Sequence, residues 1–89
     1  MPYIKQKDRE KIDWIVANLA AELKTKGVTG NMNYAIFKLY CDLEKLGECS
    51  NYKEKSRFLA ELTECAAEIR RRKLAIYEDK KIEENGDVE

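Results

Sequence analysis

Arginine and tyrosine are the side chains in this sequence with the most to offer chemically. Arg70-Arg71-Arg72-Lys73 is a run of four positive residues, and two guanidinium groups can grip a phosphate through paired hydrogen bonds. Tyr34 or Tyr77 could stack on a base held there. Four consecutive residues cover every side of a helical turn, so they cannot all face one groove. Glu68 precedes Arg72 by four residues, the spacing of an ordinary stabilising pair. A nucleic acid would want a broader basic face and a positive net charge. Seventeen Lys and Arg offset 17 Asp and Glu, so nucleic acid is not an expected partner and a compact anion fits better.

Catalysis finds little support. The chain has no histidine for general acid–base work, no nucleophile motif and no cofactor fingerprint. Glu61, Glu64 and Glu68 fall where a solvated helix face puts them. Gly27-Val28-Thr29-Gly30-Asn31 is glycine-rich but lacks the lysine and Ser/Thr of a phosphate loop. Cys41, Cys49 and Cys65 form no CxxC and have no histidine to complete a zinc site. Cys41 and Cys65 lie on apolar helix faces, which predicts buried, reduced thiols. The expectation is a non-enzyme with no catalytic residue, metal or cofactor.

The elements that must position these residues are helices. Met32 to Leu46 is the organising stretch: at about 100° per residue, Met32, Ala35, Ile36, Leu39, Leu43 and Leu46 share one side. Tyr34, Phe37 and Cys41 gather opposite, with Tyr40 between, and only Lys38, Asp42 and Lys45 keep a strip polar. A helix apolar on two sides is normally covered on both. Before it, Ile12, Ile15, Val16, Leu19, Ala20 and Leu23 make a single stripe, Asp8 and Glu10 favour the helix start, and Trp14 points away. Pro2-Tyr3-Ile4 is an extended lead-in. Asn31 suits the N-cap of the central helix and Gly47 its C-terminal stop. Asn51 with Glu54 opens the third helix, whose stripe reads Phe58, Leu59, Leu62, Cys65, Ala66, Ile69, Ile76 and Tyr77, with Lys73 inside it. Glu84-Asn85-Gly86-Asp87 is a stop signal.

The predicted fold is therefore all-α: helices over 7–26, 32–46 and 52–80 in an antiparallel bundle-like protomer. Residues 1–80 form one domain and 81–89 an acidic tail. The two-sided central helix predicts a homo-oligomer, with Tyr34, Phe37, Cys41 and Trp14 at the interface. The polar N-terminus does not look like a signal peptide and no stretch would span a bilayer, so a soluble cytoplasmic protein without a membrane partner is expected.

Pro2-Tyr3-Ile4-Lys5-Gln6 with Asp8-Arg9, the Asn33-Tyr34 pair, and Tyr77 to Val88 (YEDKKIEENGDV) resemble a family of short uncharacterised proteins of bacteria and their phages, a domain of unknown function. By this resemblance Arg71 and Arg72 match arginines of a Tyr-Arg-Arg segment, and Lys38 matches an arginine of the central helix. The chain departs from that pattern: Ile76 replaces a proline, Arg70 replaces the tyrosine, and Glu89 stands where an aromatic often ends the tail. Ile76 removes the proline that would enforce a sharp helix break before Tyr77. The resemblance implies a phage or mobile-element setting and no activity. Two functions are expected. The first is a protein-interaction module directed at a host or phage protein. The alternative is a binder that sequesters a nucleotide-like anion among Tyr34, Lys38, Arg71, Arg72 and Tyr77 at subunit junctions.

Overall fold

The computed structural model describes residues 2–89, and every regular element among them is helical. The chain forms two compact units, Pro2–Phe58 and Leu59–Glu89.

The first unit opens with a 3₁₀ turn, Gln6–Asp8, followed by α1, Glu10–Lys26. The helix expected from residue 7 is corrected here. Asp8 and Arg9 donate to the carbonyls three residues back, at 2.9 and 3.1 Å, and these tighter bonds delay the α-helix to Glu10. Glu10 and Asp13 then supply the negative first turn. The Arg9 guanidinium donates to the Ile4 carbonyl at 2.8 Å and pins the lead-in.

At the other end of α1, the Gly27 N–H bonds the Leu23 carbonyl at 2.8 Å. Gly27 has φ +97° with ψ 144°, a backbone setting that suits only glycine. α2 follows as Asn31–Lys45. Asn31 is not its N-cap: Gly30 holds that position and no side chain caps it. The Asn31 amide instead turns back and donates to the Gly27 and Lys26 carbonyls at 2.9 and 3.3 Å. It satisfies the carbonyl end of the helix before it, where the last four acceptors lack internal donors.

Gly47 stops α2 as expected. Its N–H reaches the Glu44 carbonyl at 3.0 Å, Glu48 reaches Leu43 at 2.9 Å, and Gly47 has φ +91°. These two bonds are a Schellman motif. α3 then runs Tyr52–Ile69. Asn51 Oδ1 accepts the Glu54 N–H at 2.9 Å, so the Asn51 cap holds. The reciprocal half of the box is shifted by one residue: Glu54 accepts from both the N–H and the hydroxyl of Ser50, each at 2.8 Å.

The second unit contains the rest of α3, a π-helical turn over Arg70–Leu74, and α4, Ala75–Asn85. The uniform helix expected over 52–80 is corrected twice. It continues to Asn85, where Gly86 stops it by donating to the Ile82 carbonyl at 2.8 Å. Residues 81–85 of the expected tail are thus helical. It is also interrupted, because the Ala75 N–H bonds the Arg70 carbonyl five residues back. Such a turn inserts one residue and shifts every later side chain by about 100°. Five residues after Ile69, Leu74 takes the place that unbroken α-helical spacing had given to Lys73. Leu74 is accordingly 41% exposed and Ala75 half-buried, while Ile76 stands at 64%.

Among the described residues, the buried one is Cys49, at 4% exposure. Cys41 is half-buried and Cys65 exposed, so the expectation of two buried thiols on helix faces is corrected. Leu46, placed on the inner stripe by its spacing, is 79% exposed because it lies in the C-cap, where the stripe has already ended.

Candidate functional site

Of the five residues expected to hold an anion, two lie in the first unit and three in the second. Tyr34 and Lys38 line a shallow groove of about 390 Å³ with Leu19, Leu23 and Leu39. The Lys38 ammonium is 3.2 Å from Asp42, one turn on, and this bond above all raises the lysine above its ordinary 10.5. An anion arriving there meets a lysine already engaged by a carboxylate. In the second unit, Arg71 bonds Glu68. Arg70 lies 3.8 Å from Glu78. Arg72 stands in the same π turn. The Tyr77 ring carries the Lys81 ammonium 5.6 Å from its centre.

The expected interface residues are largely uncovered. Trp14, Tyr34 and Phe37 are 70%, 68% and 67% exposed, and Cys41 is half-buried. Trp14 borders a hollow of about 530 Å³ with Lys7, Asp8, Glu10 and Lys11. Its own carbonyl accepts the Asn18 amide at 2.9 Å, a contact that leaves the indole uninvolved.

The inner stripes of α1 and α2 do meet as their spacing requires, but they do not close. Ile12, Ile15, Val16, Leu19 and Leu23 of α1 face Met32, Ala35, Ile36 and Leu39 of α2 across an open groove of about 360 Å³. No lining residue is charged. Ile12, Ile15, Val16, Leu19, Met32 and Leu39 remain 44–53% exposed.

The most fully bonded side chain in the first unit is one that sequence reasoning passed over. The Lys55 ammonium donates to Glu44 Oε2 at 2.8 Å, to the Cys49 carbonyl at 2.8 Å and to the Tyr40 hydroxyl at 3.2 Å. Tyr40 in turn donates to Glu44 at 3.2 Å, closing a triangle. The Tyr40 ring meets Phe58 edge-on, with centres 5.2 Å apart at 74°. Lys55 is held far above its ordinary 10.5, first by the Glu44 bond and then by Tyr40. Glu44 is correspondingly lowered from 4.5, first by Lys55 and then by Tyr40. This clasp closes the loop over Cys49, a non-glycine residue at φ +53°. That conformation is uncommon outside glycine, and the Lys55 bond to the Cys49 carbonyl helps to hold it. The one legible signal was the four-residue step from Tyr40 to Glu44; nothing local points across the loop to Lys55.

Among the described residues no group of three or more His, Cys, Asp or Glu could hold a metal ion. No helix among them is long and apolar enough to cross a membrane.

These elements define a small all-α protein. The chain belongs to the family described as a domain of unknown function, DUF6899, whose model matches residues 1–88. No curated protein and no solved structure matches it.

Proposed function

We propose that this chain is a non-enzymatic, cytoplasmic protein-interaction module whose antiparallel, bundle-like protomers self-assemble and dock on a further protein. The observation that carries this reading is the exposure of its large apolar side chains. Trp14, Tyr34 and Phe37 each stand about two-thirds open, beside helices whose facing stripes are half-exposed. Tryptophan and tyrosine are the anchors that protein interfaces favour, and a helix greasy on two sides is normally covered on both. Trp14, Tyr34, Phe37 and Cys41 form the docking set.

Light scattering, with native mass spectrometry of material purified from cells, tests this directly. The expected result is a mass at least twice that of the 10.4 kDa chain. A monomer at micromolar concentration with no protein companion overturns the proposal. Sequestration of a nucleotide-like anion ranks second, because Lys38 and Arg71 already carry carboxylate partners. A small-molecule adduct in the native spectrum would reverse that order.

A further inference from the structure

The open groove of the first unit has a neutral rim, which narrows what can fill it. Its walls are nine apolar residues from two helices of similar length, 17 residues in α1 and 15 in α2. At 1.5 Å per residue the helices are about 26 and about 23 Å long. In the adjoining groove the charges are paired within their own helices: Lys26 with Glu22 and Lys38 with Asp42, each at 3.2 Å. A strongly charged partner would find no opposite field there. A second copy approaching along a two-fold axis brings the same neutral rim and meets no like-charge repulsion.

We infer that the α1–α2 groove is the seam of a symmetric pair, in which the α1–α2 hairpin of a second copy seats its stripe against this one as a four-helix bundle. Two matched antiparallel hairpins with short connectors are the parts such a bundle requires. The connector here is four residues, 27–30. Each copy's Leu19 and Leu39 would enter the other's groove, and both half-open stripes would be covered at once. Tyr34 borders the adjoining groove with Leu19, Leu23 and Leu39, whereas Trp14 and Phe37 line neither groove and would stay open to a different partner.

This inference rests on self-assembly, and the test separates the two. The full chain is prepared as wild type, Leu19→Glu and Leu39→Glu, and its mass is followed by analytical ultracentrifugation. Dimeric wild type, with helical but monomeric variants whose self-association is weakened about 100-fold or more, is the expected result. Wild type that assembles while both variants assemble equally well overturns the seam but leaves the proposed function standing. Monomeric wild type overturns both. Isotope-filtered NMR on mixed labelled and unlabelled wild type decides independently of whether either variant folds. Contacts between copies at the Leu19, Ile36 and Leu39 methyls are expected. Contacts from those methyls confined to residues 59–89 of the same chain overturn the seam.

Discussion

Two regions of the first unit, both built on α2, have opposite characters. At the corner between α2 and α3, the Lys55 ammonium serves three acceptors and Asn51, Glu54 and Gly47 satisfy the helix ends. Cys49, the one buried residue among those described, gives its carbonyl to that clasp. At the groove between α1 and α2, nine apolar residues face one another across space. Directional bonds between near neighbours fix the corner. The groove depends on the hydrophobic effect, which has no direction and rewards only area removed from water. A chain with a finished corner and an unfinished groove specifies its local path well and derives little stability from its own interior.

The largest expected effect follows from that contrast. If covering the apolar faces supplies most of the stability, thermal unfolding must depend on protein concentration. For a dimer, each tenfold dilution removes about 1.4 kcal/mol. Two 89-residue chains unfold together in such a dimer, so each 1 kcal/mol lowers Tm by about 2–4 °C. Calorimetry over a hundredfold range of concentration checks it. A Tm that stays constant would mean the groove is already satisfied, and the contrast with the corner would disappear.

Gly47→Ala bears on the corner alone. An alanine at φ +91° meets no neighbouring atom, so the whole cost is backbone strain of about 1–2 kcal/mol. Asn51→Ala removes the acceptor of the Glu54 N–H and should cost about 1 kcal/mol. Both changes should lower Tm in chemical or thermal unfolding without altering the assembled mass. A shift in mass would show that corner and groove are coupled.

The corner and the groove also differ in how far the sequence announced them. Gly47, Asn51 and Gly86 act within three to five residues of themselves, and spacing placed all three correctly. The facing stripes of α1 and α2 were legible because a 3.6-residue period marks a side of a helix regardless of what covers it. Asn31 was placed at the wrong helix end because its side chain could serve the helix before or after, and only the connector's geometry decides. The π turn was invisible because Arg-Arg-Arg-Lys is good α-helical sequence; the sole hint was a lysine sitting inside an apolar stripe. Lys55 went unnoticed because its partners lie 6, 11 and 15 residues away. The resemblance named the family, yet the anion set it helped assemble is divided between the two units.

The smallest expected effect is a pH dependence confined to the corner. Glu44 is held below its ordinary 4.5 by Lys55 and then Tyr40, and Glu54 below the same value by the Ser50 N–H and then its hydroxyl. A carboxyl lowered by folding contributes stability that is present above its unfolded value and is lost as pH falls through the folded one. Tm should therefore decline as the solution is acidified below about 4.5, the ordinary value of both groups. Lys55 has the opposite sign: its contribution is complete below 10.5 and fades only at more alkaline pH. From pH 5 to 9 the corner should thus be insensitive to pH. Glu44 is exposed and Glu54 half-buried, and the solvent that reaches them screens the pairs and keeps the change small. Glu44→Gln should lower Tm at neutral pH and flatten the acid limb, while leaving Glu54's share of that limb in place. An acid limb identical in wild type and the Glu44→Gln variant would show that the Lys55 clasp is too mobile in water to bias the titration. The rigidity of the corner would then have to rest on its backbone caps and on the Tyr40–Phe58 ring contact.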